Sequence, residues 1–428
     1  MSNVDMRPFK TKHLFILVGA NPLPNYVAAK LLLNSGEHQS GEHQSGEHQS
    51  GEHQSGEHQS GEHQSGEHQS NGHLYLVHTS ETEEIADRLI AALKLELKKT
   101  ATKIPVDEAN TEDIFNKVSE HARGKQNVGL NYTGGTKTMA VHAYRAVKEA
   151  CPGAVFSYLD AKCLQMIIER PQSQQKFPVA LDVRPTIEVL LALHGYQLHP
   201  VVSSSQSNVR YLQLCQVLAK YGIQWRQWCN QNLRSGPDTP FRKKAELSAV
   251  ILPCLQAVNW QNGNTLGDLA AHWKLEVGEL AEWLDGKWLE HYTLWELQQI
   301  ASVCHIHQVG MNIQATMKTG SQNRHFEFDV VAMRGYQLFA LSCSTEHRKG
   351  KLKLKLFEAY IRARQMGGEE ARVGLVCCAP ENNPDSSPSV IQTEIEESWD
   401  AQGKVRVFGA EHLPNLQTHL QDWFNSQP

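Results

Sequence analysis

Short apolar runs separated by longer amphipathic stretches dominate the first third of the chain. His13-Leu14-Phe15-Ile16-Leu17-Val18-Gly19 is continuously apolar rather than alternating, the pattern of a central parallel strand covered on both faces. A helix is expected over Tyr26 to Leu33, and His73 to Thr79 reads as a second strand. Ser80 and Glu83 form a capping box for a helix running to about Lys98, and another helix covers Thr111 to Ala122. The strand at Val128 then runs through a Gly-Gly turn into a helix that carries Met139, Ala140, Ala143 and Val147 on roughly one face. Strands at Ala154 to Leu159 and Leu164 to Glu169 follow. Strands alternating with helices argue for a parallel α/β sheet.

Near Gln172 to Pro178 the pattern turns polar, which suits a domain boundary. Beyond it, Thr186 to His194, Val209 to Tyr221, Lys244 to Val258 and Leu266 to Leu284 are apolar or amphipathic at helical spacing. The Trp225-Arg226-Gln227-Trp228 stretch has the character of a nucleic-acid stacking platform, but a tryptophan pair in a helical region favours a core role. An amphipathic run from Trp283 to Ile300 leads to a strand at Phe328 to Met333, a turn at Arg334-Gly335 and a strand at Gln337 to Thr345. Lys349 to Lys355 alternates lysine with leucine and then becomes a basic amphipathic helix, Leu356 to Arg364. The tail reads as strand Arg372 to Cys377, helix Ser389 to Trp399, strand Val405 to Phe408 and closing helix Leu413 to Phe424.

Residues 36 to 70 break every such pattern: they are seven identical Gly-Glu-His-Gln-Ser units with no apolar residue to bury. Such a tract cannot offset its ordering entropy, and it is expected to be a disordered, dispensable insertion between the first helix and the second strand. It also distorts the charge. The formal net charge is −5, but the tract holds seven of the 46 acidic residues and none of the 41 basic ones, so the remainder stands at +2. Contact with nucleic acid would therefore need local basic patches. The nine cysteines include no C-x-x-C pair, and the sequence shows no signal peptide and no transmembrane-length apolar run, which together suggest reduced thiols in a cytoplasmic protein with no membrane contact. Cys377-Cys378 reads as a buried pair of small side chains rather than a catalytic thiol.

The chemistry that stands out is at Tyr132-Thr133-Gly134-Gly135-Thr136-Lys137. Where a strand turns into a helix, the first backbone N–H groups lack internal partners, the helix dipole adds positive potential, and glycines admit a ligand close to the main chain. Thr133 and Thr136 add hydroxyls and Lys137 a cation. The spacing matches neither a Walker loop nor G-x-G-x-x-G. A phosphate site and a tight Thr-capped turn both satisfy it. In a doubly wound sheet Gly19 to Asn25 would share this rim, with Asn21 serving either a ligand or a helix-entry turn, and Thr79 would lie there too, unless it only caps its helix.

These residues carry a resemblance. The strand ending in Thr-Gly-Gly-Thr-Lys resembles the CARF domain, the CRISPR-associated Rossmann fold that senses cyclic oligoadenylates. Trp288-Leu289-Glu290-His291-Tyr292, then His325-Phe326-Glu327-Phe328-Asp329-Val330-Val331, then a strand and a basic helix resemble the PD-(D/E)xK nuclease domain of CARF nucleases serving type III CRISPR systems. The fold implied is α/β throughout: a Rossmann-like CARF domain over about 10–175, a helical middle segment over 176–281 and a restriction-endonuclease-like domain over 282–428. The resemblance implies cyclic tetra- or hexa-adenylate bound near Gly19, Asn21, Thr79, Thr133, Gly134, Gly135, Thr136 and Lys137 across an isologous homodimer.

It also implies a Mg²⁺- or Mn²⁺-dependent attack on DNA or RNA, with Glu290 as the helical acid, Asp329 as the strand acid and Glu327, on the face of Asp329, as a further metal ligand. Where the family carries Glu-Cys-Lys, this chain has Ser342-Cys343-Ser344. Serine supplies neither the negative charge a hard cation needs nor an ammonium. Two readings follow. In one, Glu327 joins Asp329 on the metal while Lys349, Lys351, Lys353 or Lys355 enters the site or contacts nucleic acid. In the other, the domain is a pseudonuclease that binds without cutting. A third possibility is a ring nuclease that cleaves the cyclic ligand in the CARF pocket itself.

Overall fold

The computed structural model describes residues 5–34, 72–170, 173–198, 212–233, 239–252, 263–319, 322–383 and 387–428. The Gly-Glu-His-Gln-Ser tract lies outside the described residues, as do parts of the helices expected over Val209 to Tyr221 and Lys244 to Val258.

Seven strands form the first sheet: β1 (His13–Leu17), β2 (His73–His78), β3 (Ala101–Pro105), β4 (Val128–Asn131), β5 (Val155–Asp160), β6 (Gln165–Arg170) and β7 (Ser173–Pro178), in the order β3-β2-β1-β4-β5-β6-β7. The strands from β3 to β5 run parallel, and β6 and β7 add an antiparallel edge. Alternation along β1 sends Phe15 and Leu17 into a core with Ile114, Val118, Met139 and Ala143 of the helices Thr111–Ala122 and Lys137–Ala150. Leu14 and Ile16 point the other way, into a second core.

That second core crosses into the rest of the protein. It runs from Leu14 and Ile16, through Ile187 and Leu190 of the helix Ile187–Leu193, to Leu338, Ala340 and Val373 of a second sheet. This sheet contains β8 (Gln197–Leu198), β9 (Ile306–Thr319), β10 (Gln322–Arg334), β11 (Gln337–Ser344), β12 (Arg372–Cys377) and β13 (Val405–Phe408), in the order β13-β12-β11-β10-β9-β8. β11, β12 and β13 are parallel, β10 pairs antiparallel with β11, and β9 and β10 form a long antiparallel hairpin. The helix Lys349–Gly367 packs Leu352 and Leu356 into the shared core. The other face carries Phe339 and Phe408 against Leu289 of the helix Trp288–Ile300 and Phe424 of Leu416–Asn425. The middle helices Leu212–Lys220, Gly222–Asn232 and Leu266–Trp273 join this same core through Leu214, Trp225 and Leu266. Trp225 is buried and stacked on Trp228 at 4.7 Å, the core role.

The differences from the sequence pattern have local causes. The helix after β2 is Glu83–Ala92, ending well short of Lys98, with Thr82 rather than Ser80 in the capping position. β3 then follows as an edge strand with only Ala101 and Ile104 buried. β7 is almost wholly polar and exposed, so the polar turn at Gln172 to Pro178 reflects an edge strand, and a boundary at residue 175 would cut through it. The Lys349 to Lys355 stretch is helical from its start, because Leu352, Leu356, Ala359 and Ala363 share one buried face at helical spacing. Among the described residues eight cysteines are free and seven of them buried; burial pushes the Cys377 and Cys378 thiols up to about 12. No helix among the described residues is long and apolar enough to cross a membrane.

The ends of the repeat tract are held together, Gly72 N–H donating to Asn34 O at 2.7 Å. Loop closure depends only weakly on length, so replacing residues 36–70 by a two-residue linker is expected to leave the melting temperature unchanged or raised by a few degrees. Differential scanning calorimetry of the two proteins checks it.

Candidate functional site

The loop after β1 and the Gly-Gly turn after β4 meet at the carboxyl ends of adjacent parallel strands. Their backbones touch. A Cβ on Gly134 would lie 2.4 Å from Leu17 O and 2.9 Å from Gly19 N, and one on Gly19 would lie 3.1 Å from Gly135 N. Gly135 itself has φ +73°, a conformation that favours glycine. Asn25, fully buried, clamps the same junction by donating to Leu17 O (2.9 Å) and accepting from Gly19 N–H (3.3 Å). The sequence places Asn25 at the end of the rim segment without singling out this clamp.

The threonines are partly committed to the fold. Thr136 caps the Lys137–Ala150 helix, accepting from Met139 N–H at 3.2 Å, and Thr133 Oγ1 accepts from Leu159 N–H at 2.7 Å, which ties the turn to β5. Thr79, buried at the end of β2, accepts or donates at Thr82 Oγ1 within its own turn. Lys137 is exposed at the first position of its helix, so the rim presents a helix N-terminus and an ammonium together. Asn21 sits where the two domains meet. Its Oδ1 accepts from Leu23 N–H at 3.0 Å, while its amide nitrogen backs so closely on Gly368 (φ +67°) that a Cβ there would lie 2.3 Å away.

The second constellation surrounds Asp329. One carboxylate oxygen accepts from Cys343 N–H (2.7 Å) and Ser342 Oγ–H (3.0 Å), while Lys355 Nζ lies 3.9 Å off and donates to Cys343 O at 3.1 Å. Ser344 Oγ accepts from Glu346 N–H at 3.2 Å in the turn leaving β11. Glu290, on the helix Trp288–Ile300, completes the group electrostatically: burial, then the negative charge of Asp329, push its carboxyl up to about 8. Glu290, Ser344, Lys351 and Lys355 line one cleft of about 620 Å³. Glu327 is exposed and lines a neighbouring cleft of about 580 Å³ with Gln314, Thr316, His325 and Arg362. Lys349 and Lys353 pair with Glu394 at 2.6 and 2.9 Å.

Sequence reasoning missed Arg226. It is buried, donates to Thr345 Oγ1 at 2.8 Å and reaches Asp285 at 3.4 Å, so the middle helices help to hold the cleft wall. The Trp-Arg-Gln-Trp stretch was the only signal for it.

Among the described residues no group of three or more His, Cys, Asp or Glu side chains is arranged to hold a metal. Glu290 and Asp329 are two hard oxygen donors, with the Ser342 hydroxyl beside them. That set fits a divalent cation that keeps several of its own waters, as Mg²⁺ does with one or two carboxylates.

The raised Glu290 carboxyl makes a prediction with no metal present. Its folded value, about 8, lies above its ordinary 4.5, so the folded state holds a proton that the unfolded state releases. Stability then falls as pH rises from about 4.5 through about 8, by at most about 1.4 kcal/mol per unit, and levels off above. In EDTA, urea unfolding is expected to show wild type losing stability relative to Glu290→Gln across this window.

A family model described as the Card1 CARF domain matches residues 63–184, and one described as Card1-like, endonuclease domain, matches residues 278–427. The crystal structure of protein VC1899 from Vibrio cholerae is similar over 96% of this chain and 98% of its own, with TM-score 0.69 and 18% identity. Can2 from Sulfobacillus thermosulfidooxidans, solved in complex with cyclic tetra-adenylate, is similar over 99% of both chains, with TM-score 0.66 and 14% identity. At these identities the likeness concerns the fold. A comparison with curated proteins gave no match. With both of its sheets accounted for, the chain belongs among the CARF effectors that join a Card1-type CARF domain to a Card1-like endonuclease domain.

Proposed function

We propose that this protein is a cyclic-oligoadenylate-activated effector of CRISPR defence whose C-terminal domain hydrolyses phosphodiesters of DNA or RNA with Mg²⁺ or Mn²⁺. The observation that carries the reading is the contact of Asn21 with Gly368. A loop suited to an anionic ligand lies directly against the turn that enters β12 of the nuclease-like sheet. Cyclic tetra-adenylate is the first choice of activator, because Can2, of the same fold, was solved with it; cyclic hexa-adenylate is the alternative. Ligand phosphates would meet the backbone N–H groups of Gly134 to Lys137 and the Lys137 ammonium, with Gly19 and Gly135 allowing the approach. Val141 (62% exposed) and Tyr158 (38% exposed) leave apolar surface near this rim, which suits a homodimer with one shared pocket.

The acids divide the work at the second site. Glu290 and Asp329 would hold the cation, which would polarise the phosphate and lower the pKa of a bound water. Ser342 and the Cys343 N–H hold one oxygen of the Asp329 carboxylate by hydrogen bonds. Glu327, one cleft over, suits an outer position near the substrate. A pseudonuclease is favoured by two observations, the serines at 342 and 344 and the lack of a three-acid cluster among the described residues.

Labelled single-stranded DNA and RNA with Mn²⁺ test the two readings. Cleavage that appears only with cyclic tetra-adenylate and vanishes in Asp329→Ala supports the gated nuclease, whereas ligand binding without cleavage under any condition leaves a pseudonuclease. Lys137→Ala is expected to weaken ligand binding by about tenfold or more by calorimetry, since a hydrogen bond to a charged group contributes about 1.5–3 kcal/mol. Gly368→Ala is expected to weaken ligand binding several-fold and to lower ligand-stimulated cleavage by tenfold or more, because its Cβ displaces Asn21 of the ligand loop and its φ is strained.

A further inference from the structure

We infer that Lys355 replaces the motif lysine: a cation borne by the Lys349–Gly367 helix takes over the charge that Ser344 on β11 cannot supply. This rests on the nuclease reading. The helix begins five residues after β11 ends and turns Leu352, Leu356 and Ala359 into the core. Lys355, next to Leu356 in the chain, emerges where the helix passes over Asp329 and extends its ammonium to Cys343 O at 3.1 Å and to within 3.9 Å of Asp329 Oδ2.

The alternatives among the lysines are engaged or distant. Lys349 and Lys353 are both turned to Glu394 on the helix Pro388–Trp399, and Lys351 lines the cleft that Lys355 shares without pairing with Asp329. The serine at 344 makes the substitution sterically possible. Its short side chain is drawn back to Glu346 N–H, which leaves the mouth of the cleft open to a side chain from the helix. A lysine ammonium has three N–H donors. One goes to Cys343 O, one faces Asp329, and the third is free for a phosphate oxygen in the cleft, since the side chain is 47% exposed.

In the reaction, the oxygen of a water molecule forms a new bond to phosphorus while the bond from phosphorus to the leaving sugar oxygen breaks. One water proton passes to solvent, and the leaving oxygen takes a proton from solvent. No electrons are exchanged with any partner. Lys355 transfers no proton and donates a hydrogen bond to a non-bridging oxygen whose negative charge grows in the pentavalent transition state.

The experiment uses full-length protein, cyclic tetra-adenylate, Mn²⁺ and labelled single-stranded DNA and RNA, comparing wild type, Lys355→Ala, Lys355→Ala with Ser344→Lys, and Ser342→Glu with Ser344→Lys. Lys355→Ala is expected to lose about 10²–10³-fold in cleavage rate, the scale of losing one charge-stabilising donor, and returning a lysine at 344 is expected to recover at least about tenfold. A second readout needs no turnover. Without nucleic acid, Lys355→Ala is expected to bind Mn²⁺ several-fold more tightly by electron paramagnetic resonance titration, because a competing cation beside Asp329 is gone. A lysine that only supports the helix would not change it. If wild type cuts and Lys355→Ala cuts within about threefold of it, the inference is wrong and the nuclease reading stands. If wild type is inert and only the Ser342→Glu, Ser344→Lys protein cuts, the nuclease reading falls and takes the inference with it.

Discussion

The constraint on which this architecture depends is one continuous apolar core that serves two sheets. Each side chain of β1 faces opposite its neighbour, so Leu14 and Ile16 must be covered on the face away from Phe15 and Leu17. The cover is the pair of helices Leu23–Leu32 and Glu83–Ala92, through Leu23, Val27, Ala86 and Leu89, and beyond them the same core continues to the helix Ile187–Leu193 and the inner face of the nuclease-like sheet, Leu338, Ala340 and Val373 among them. Neither surface could be left bare: contiguous apolar area of that extent binds something. The join is close elsewhere too. The turn between β10 and β11 puts Gly335 against Ala180, where a Cβ would lie 1.7 Å from the carbonyl oxygen, and Arg88 donates to Leu193 O at 2.9 Å. A ligand at the rim of β1 and β4 therefore acts on a body packed against the second domain, and any transition must re-pack that core rather than bend a linker.

Within this frame the second site is governed by charge. Burial first, and the negative charge of Asp329 second, disfavour the ionised form of Glu290 and push its carboxyl up to about 8. The Asp329 carboxylate accepts from Cys343 N–H and Ser342 Oγ–H, and the Lys355 ammonium lies 3.9 Å from the same oxygen. A glutamate at position 342 would bring a third acid to the site, so the serine there relieves repulsion in the metal-free protein and weakens cation binding at the same time. The loss of both motif charges on β11, one negative and one positive, keeps the local charge balance. That is a physical reason why the two replacements occur together.

Much of this was legible in the residues. The apolar runs of β1, β11 and β12 are continuous because both of their faces are buried, and a run without alternation needs no partner to be recognised. The Thr-Gly-Gly-Thr-Lys turn was legible because its glycines answer to steric needs, Gly134 against Leu17 and Gly135 at positive φ. β3 and β7 were not, since edge strands with polar, half-exposed faces carry no hydrophobic signature, and β7 reads as a boundary for that reason. The clamps made by Asn25 and Arg226 were invisible for a different reason. Each is made by a buried polar side chain whose partners, Leu17 and Gly19 for one and Asp285 and Thr345 for the other, come together only after the chain has folded.

The path between the two sites is short enough to judge by its covalent geometry. Asn21 meets Gly368, and the 3₁₀ turn Gly368–Glu370 leads into Arg372, which opens β12 opposite Phe339 of β11. The same register carries Ser342 opposite Leu375 and Ser344 opposite Cys377, so β12 is the strand on which the Ser-Cys-Ser segment rests. The helix that bears Lys355 ends at Gly367, immediately before the same turn. A displacement of Gly368 by the ligand loop would thus reach the site along two routes, through the β12–β11 ladder to Asp329's hydrogen-bond donors and along the helix to the ammonium. A lysine on the strand would move with only the first route. Under the proposed gated-nuclease reading, a lysine on the helix would make the cation and the carboxylate separately adjustable from the ligand side, so placing the charge on the helix rather than on β11 would change how tightly a ligand gates the chemistry as well as where the charge is held.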